Sequence, residues 1–412
     1  MKYSFLLFSL CLALSASSGF GQTGSITGVV TDSLTGKPIV AFSVFIPSTT
    51  FGTTTNQKGV YLLDKINPGD YTIEYRHLSY PTITRKVSVQ AGMQITVNLV
   101  VAEKSTRLKE FVIVGKVPDR RMGFQLFKEY FLGDKGGSVC TVKNPDDISY
   151  FYDGDIIKAT AKKPLIIENR YLGYRVTYYL DYFKYVEDKN PDADNTVGAY
   201  FGYSGSALFE DLSAVIPLNA LFFKMNRAGV FKGSLRHFLA SLYQNELPAN
   251  RYNVRKAYHG FKDLQHMEKL SAAMTKIRMA SMDSLFSWDP VSGTTEFLYY
   301  DPNEEFRFNE NMVKAGPKDG EKTLVTEYFL LVFSDYQKTT DLRDDWISSL
   351  RLSPDGMTFD KDGNYWVPNG AFSWTNLHNT IKIKSMLPYD YMPKIQLTRS
   401  TSPPAPLPRS LR

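Results

Sequence analysis

The chain has 412 residues, 43% hydrophobic and 22% charged, proportions that exclude a disordered polymer and, at roughly 150 residues per domain, suggest two or three folded domains. Lys and Arg number 48 against 42 Asp and Glu, a net charge of +6 spread over the whole length. Composition therefore gives no argument for nucleic-acid binding.

At the N-terminus Lys2 precedes the apolar run Phe5–Leu14, and small residues follow through Ser18, Gly19 and Gly21. Residues 1–21 read as a signal peptide, because the apolar run falls well short of the ~20 residues that span a bilayer, and the small residues allow cleavage before Gln22 or nearer Ala16. Cys11 follows Leu10 inside the run and lacks the small residue that precedes a lipidated cysteine. Removing the leader leaves Cys140 alone, so no internal disulfide is expected even in an oxidising compartment. No later segment is long and apolar enough to cross a membrane as a helix.

Residues 22–102 alternate short apolar runs with turn signals. Ser25–Val30 leads to the turn Thr35-Gly36-Lys37-Pro38, Phe42–Ile46 to Gly52–Thr55, and Gln57-Lys58-Gly59 to Val60–Leu63. Pro68-Gly69 turns into Tyr71–Tyr75, and Val87–Val89 and Ile95–Leu99 complete the set. This many short strands in so short a stretch predict a seven-stranded Greek-key sandwich. Gly28-Val-Val-Thr-Asp32-Ser-Leu-Thr-Gly36-Lys-Pro38-Ile39, Gly52-Thr-Thr-Thr-Asn56-Gln-Lys-Gly59-Val-Tyr61, Pro68-Gly69-Asp-Tyr71 and Leu78-Ser79-Tyr80 follow one another. In order and spacing they resemble the carboxypeptidase regulatory-like domain, with Asn56 where that family usually has Asp and Ser79 where it usually has Gly. The resemblance implies a transthyretin-like sandwich without activity of its own. Such domains flank metallocarboxypeptidases and open many exported Gram-negative proteins, TonB-dependent receptors among them.

Residues 103–119 read as a charged linker strand and a hinge. Arg120–Leu132 is predicted as a helix ending at Gly133, with Phe124, Phe127, Tyr130 and Phe131 near helical spacing. Strands are expected at Ile148–Tyr152, Pro164–Ile167 and Tyr174–Val186, the last forming a long hairpin with Tyr200–Tyr203. A second helix spans 233–246, with Ser234 as N-cap, Leu235, Phe238, Leu239, Leu242 and Tyr243 on one face, and Pro248 beyond its end. Glu296–Tyr300, Phe306–Phe308, Leu324–Phe333 and Trp346–Leu352 read as further strands, Asp362-Gly363 and Asn369-Gly370 as turns, and 394–412 as a disordered basic, Pro-rich tail. Residues 120–393 are thus expected to form one larger β-rich α+β domain. Its segments Cys140–Pro145, Pro164–Asn169, Leu172–Tyr174, Gly233–Tyr243 and Leu387–Pro393 resemble the region that follows the regulatory-like domain in uncharacterised exported proteins, a likeness that carries architecture and no known chemistry.

The resemblance makes zinc the first chemical question. A carboxypeptidase centre needs His-x-x-Glu and a distant His, and none of His77, His237, His259, His266 and His378 has Glu three positions on. His266 with Glu268 comes nearest, at a spacing that separates the two around a helix. Cys140 lies among Val139, Thr141 and Val142 and reads as a buried thiol. Gly-x-Ser-x-Gly is absent. The acidic loops Glu187–Asp194 and Asp355–Asp362 lack calcium-loop spacing and read as solvated turns. No cofactor and no metal are expected.

Two features suit an interaction surface. The aromatic run from Tyr171 to Tyr185 carries Tyr174, Tyr178 and Tyr182, which, with Trp366 or Trp374, suit contact with a partner or a sugar, although strand alternation buries about half of such a run. Arg236-His237 falls on the polar side of its helix, as an exposed binding element or simply as helix surface. The expected function is that of an exported, non-catalytic binding protein of the cell envelope, periplasmic or at the outer membrane. Its partner would be an envelope protein or a glycan, with no nucleic acid. A peptidase or other hydrolase, or an accessory of outer-membrane nutrient uptake, are the alternatives.

Overall fold

The computed structural model describes residues 22–104, 120–134, 136–153, 156–186, 200–259, 286–289, 294–299, 305–334, 347–367, 373–376 and 382–393. The leader, the linker at 105–119, His266 with Glu268, and the tail lie outside them, as do the loop at 187–199, His378 and the Asn369-Gly370 turn.

The first body is a sandwich of two four-stranded sheets. Strands β1 (Gly24–Asp32), β4 (Val60–Ile66), β7 (Gln94–Thr96) and β8 (Leu99–Val101) form one sheet; β2 (Ser43–Phe45), β3 (Gly52–Thr54), β5 (Gly69–Arg76) and β6 (Ile83–Val89) form the other. The count is eight because the expected last strand is split. Both β7 and β8 run parallel to β1, and at the break Val29 N–H donates to the Asn98 side chain, at 3.0 Å, instead of to a ladder carbonyl. At the same crossing a Cβ on Gly28 would lie 2.0 Å from the Val97 carbonyl oxygen, so β1 needs a residue without a side chain there. Alternate residues of β1 enter the core, with Ile26 and Val30 fully buried against Tyr61 and Tyr75, whose hydroxyls share a 2.7 Å hydrogen bond.

Helix α1 (Arg120–Phe127) continues as a wider turn through Leu132 and stops at Gly133, whose φ of 73° only glycine adopts easily. It covers a six-stranded sheet of β9 (Cys140–Val142), β10 (Ile148–Asp153), β11 (Ile156–Ala161), β12 (Leu165–Asn169), β13 (Tyr174–Val186) and β14 (Tyr200–Asp211). Strand β13 is central: β11 and β12 share one of its edges, and β14 follows the other along its whole length. The expected long hairpin is thus present, with a longer second strand. Phe127, Phe131 and Leu132 pack on this sheet together with Ile383.

Beyond it come α2 (Ala220–Phe231), α3 (Leu235–Tyr243) and strands β15 (Tyr252–His259), β16 (Phe286–Asp289), β17 (Thr294–Tyr299), β18 (Val313–Ala315), β19 (Glu321–Leu324), β20 (Phe329–Ser334), β21 (Ile347–Arg351), β22 (Met357–Asp360), β23 (Tyr365–Trp366) and β24 (Ser373–Asn376). They form a six-stranded and a four-stranded sheet around α3. The region expected as one domain therefore contains two separate apolar clusters among the described residues, one under α1 and one around α3. The expected strand at Phe306–Phe308 is irregular backbone, with Phe306 N–H donating to the Val254 carbonyl. The expected strand Leu324–Phe333 divides between the two sheets.

The sandwich is joined to the β13–β14 hairpin. Ser48 N–H donates to Ala207 O at 2.7 Å, Phe209 N–H donates to Thr49 O at 2.9 Å, and Phe45 stacks on Tyr179 with ring centroids 5.1 Å apart. Ser206 donates to Glu74 at 2.7 Å, and Arg76, paired with Glu74, lies over the Tyr179 ring. A seam of this kind opposes free swinging about the linker. Gly28→Ala is expected to destabilise the sandwich by about 1–3 kcal/mol through overpacking, measured by urea unfolding; an unchanged midpoint would mean that β1 and the Val97 backbone part without cost.

Candidate functional site

The aromatic strand shows first how burial sorts the residues proposed for a surface. From Tyr174 to Leu180 every second residue of β13 faces the core, so Tyr174 and Tyr178 are 2% and 3% exposed and cannot form an interaction surface. Asp181 is an extra residue, since Leu180 pairs with Gly205 and Tyr182 with Ser204. This bulge reverses the alternation. Tyr182 consequently faces outward, 50% exposed, while Phe183 turns inward.

Tyr174 also has a specific cover. The Arg227 guanidinium of α2 sits 3.8 Å above its ring and donates to Leu172 O, Gly173 O and both carboxylate oxygens of Asp211 at 2.7–2.9 Å. Burial works against the charge on Asp211. The hydrogen bonds from Arg227 and Ser213, with the Arg227 charge, outweigh it and hold the carboxyl at about 2. A group held below its unfolded value contributes stability above that value, near 4, and loses it as pH falls toward 2. Asp211→Asn should therefore unfold at a lower temperature than the parent at pH 7, with the two melting curves converging near pH 2. A gap that persists at pH 2 would assign the loss to shape and not to charge.

Arg236 and His237 lie on α3, where every residue from Leu235 to Leu242 is buried. Sheet strands pack on one face of the helix, and residues 388–392 and the turn at Gly363 rest against it at Arg236. The expectation of an exposed pair is thus corrected: Arg236 is 7% and His237 3% exposed. Arg236 donates to Pro388 O and Tyr389 O, each at 2.9 Å, to Tyr391 O at 3.1 Å and to the Met392 sulfur, with the rings of Phe231 and Tyr389 beside it. Burial pulls its pKa down, opposed by Tyr389 and by the charge of Asp360. His237 Nδ1 meets the Tyr252 hydroxyl at 2.8 Å, and burial pushes the imidazole down to about 4, so it is neutral at neutral pH. Ser234 caps the helix through His237 N–H, as expected.

Other candidates prove to be structural where they are described. Cys140 is 2% exposed, and burial pushes its thiol up to about 12. Asp360 accepts from Asp362 N, Asn364 N and the Asn364 amide, so its carboxylate holds its own turn. His77 stacks against Phe42 and Tyr80. Among the described residues no three His, Cys, Asp or Glu side chains gather to hold a metal, and no helix is long and apolar enough to cross a membrane.

One exposed apolar group was not visible in the sequence. Phe223, Arg227 and Phe231 anchor one side of α2, and on the other side Leu221, Phe222 and Met225 are 67%, 63% and 62% exposed. The turn before the helix adds Val215, Ile216 and Leu218, the last 91% exposed. Tyr171, also exposed, adjoins through its carbonyl, which accepts from Asn226. Sequence offered only a weak signal here, since ALFFKMNRAGVF is apolar nearly all round and carries Asn and Gly inside. What reveals the face is the pairing of Arg227 with Asp211 and Tyr174, which fixes the side of the helix that turns inward.

Residues 26–113 match the family model of the CarboxypepD_reg-like domain. The match bears out the expected regulatory-like domain and runs past 102 into the stretch assigned to the linker strand. No curated protein matches the chain. Similar solved structures include a cohesin–X-dockerin complex of Acetivibrio cellulolyticus, with 22% identity over 19% of this chain and 56% of that one and a TM-score of 0.17. The minor pilin of Streptococcus agalactiae is 13% identical over 20% of this chain and 45% of its own, with a TM-score of 0.17. Catechol 1,2-dioxygenase of Acinetobacter is 12% identical over 21% and 54%, again at 0.17. The chain thus spans about half of each of these proteins, between 45% and 56%, and at such scores none of them bears on what it does. The CarboxypepD_reg-like domain accounts for the sandwich, and the exposed face of α2 lies outside it.

Proposed function

We propose that the protein is an exported, non-catalytic binding protein of the cell envelope that docks a protein partner on the Val215–Met225 face. The observation that carries this reading is the run of large apolar side chains left open to solvent on a helix whose other side is anchored. Scattered exposed apolar residues are ordinary; a contiguous group marks a contact surface. The partner's chemistry follows from charge. From Leu212 to Asn245 the chain has no Asp or Glu, and Lys224 is exposed beside the apolar group. An apolar patch rimmed by carboxylates complements it, with charge aiding encounter and apolar burial holding the complex.

Export is supported by the leader, in which Lys2 precedes Phe5–Leu14. A non-catalytic role is supported by the state of the nucleophile and base candidates, since Cys140 is a buried neutral thiol and His237 a buried neutral imidazole bonded to Tyr252. A catalytic base works best with its pKa near the operating pH and with access to substrate.

The test uses the full mature chain as bait in native envelope extracts, beside the triple variant Leu218→Ser, Phe222→Ser and Met225→Ser. The variant should fold with a melting temperature close to the parent's, as exposed positions permit. It should retain a partner at least tenfold less well, about 1.4 kcal/mol, and the parent complex should weaken with salt. Undiminished retention, or a variant that unfolds several degrees lower because the face packs against its own chain, would overturn the proposal.

A further inference from the structure

The apolar face of α2 borders a pocket of about 470 Å3, its mouth included, that opens beside the start of the helix. Leu212 and Phe223, both buried, line it together with Gly173, and the exposed Ile216 makes it continuous with the face. These groups are fixed by bonds within the chain. Leu212 N–H donates to Gly173 O at 2.9 Å, Ile216 N–H donates to Leu212 O at 2.8 Å, and Arg227 donates to Gly173 O as well. Gly173 has a φ of 67°, and a Cβ there would stand 2.2 Å from the Phe223 ring, so ring and main chain meet directly. A pocket already formed loses little order when it is filled.

The charges around it are unequal. Glu168 lines the pocket but is occupied, with Lys143 at 2.7 Å from one carboxylate oxygen and Arg175 at 3.4 Å from the other. Asp211, next to Leu212, is held by Arg227. Arg170 also lines the pocket. It is exposed, its N–H is fixed on Val139 O, and among the described residues its guanidinium has neither an ion pair nor a hydrogen bond. Asn219, a further lining residue, sits at the N-cap of α2, yet its side chain makes no cap bond and is likewise free. An unpaired arginine on a surface is ordinary by itself. Here it stands with a free amide around an apolar pocket that runs into an exposed apolar face, and no unpaired carboxylate lines the same pocket.

Resting on the docking reading above, we propose that the partner presents a large apolar side chain beside an Asp or Glu, the apolar group entering between Leu212, Ile216 and Phe223 and the carboxylate accepting from Arg170 and the Asn219 amide. An arginine fork can meet both carboxylate oxygens at once. The probe is the synthetic peptide acetyl-Gly-Phe-Asp-Gly-amide, titrated with the full mature chain and followed by saturation-transfer NMR. Saturable binding is expected, weakened by about threefold or more when the peptide's Asp becomes Asn, when its Phe becomes Ala, or at high salt. Arg170→Ala should weaken it to a similar degree and Arg170→Glu abolish it, both with the parent's melting temperature, as an exposed and unpaired position permits. Arg170→Lys, which keeps the charge and loses the fork, should fall between parent and Arg170→Ala. A peptide that does not saturate, that binds equally with Asn, or that binds Arg170→Glu undiminished overturns the assignment. So does tighter binding of a peptide that ends in Phe with a free C-terminal carboxylate and has no Asp, which would move the site to chain ends. In the envelope extracts Arg170→Glu should lose the partner as the triple variant does. Loss by the triple variant with full retention by Arg170→Glu would leave the docking face standing and overturn this assignment alone.

Discussion

The structure around α3 depends on one buried cation. Arg236 is taken almost wholly out of water with no carboxylate hydrogen-bonded to it among the described residues, a placement that is costly unless its donors find acceptors. Three main-chain carbonyls between Pro388 and Tyr391 and the Met392 sulfur meet its two terminal nitrogens, with two aromatic faces around them, while its Nε is buried without an acceptor among the described residues. The arrangement serves both sides. Residues 387–393 form no strand or helix, so their carbonyls have no ladder to join; the guanidinium fork takes those of Pro388, Tyr389 and Tyr391, the first of which also accepts from Tyr391 N–H. Removing either partner leaves the other stranded in a dry environment.

The same solution recurs along this irregular segment. Asn169, at the end of β12, donates its amide to Ile383 O and Lys384 O while its oxygen accepts from Tyr171 N and Leu172 N. Asp390 accepts from Thr50 of the sandwich, and Tyr389 N–H donates to Ser48 O. One stretch of backbone thereby touches the regulatory-like sandwich, the β13 sheet and the α3 cluster. The sandwich is correspondingly integrated with the rest: Phe45, a core residue by its burial, completes its packing on Tyr179 of the neighbouring hairpin. A family domain with a fold of its own has here become one wall of a larger assembly.

How much of this was legible in sequence depended on whether the cause was local. The turns and alternation of residues 22–102 lie within each strand, and they gave the sandwich correctly, apart from the split after Val97 that the Asn98 side chain bridges. Ser234 and the apolar spacing of Leu235–Tyr243 gave α3. What covers a helix is not written in the helix, however. Arg236 and His237 read as polar surface because the segment that buries them lies far along the chain. Tyr182 differs from Tyr174 and Tyr178 through a single extra residue, Asp181, and no pattern of residue types announces a bulge that the pairing with β14 creates. The exposed side of α2 was illegible for the opposite reason: apolar residues occur on both sides, and only Arg227 finding Asp211 decides between them.

The clamped segment has a consequence for how the molecule reaches this state. Its contacts join residues 152 apart, from Arg236 to Pro388, and 340 apart, from Thr50 to Asp390. Closing loops of that length is entropically expensive and slow compared with forming a hairpin or a helix. The sandwich, the long hairpin and α3 can each form from near neighbours, whereas residues 382–393 gain their full set of contacts only when all three stand side by side. The segment is a clasp that shuts last and opens first: before it shuts, the Arg236 charge stays hydrated at the surface and the three bodies are still free to find their mutual arrangement.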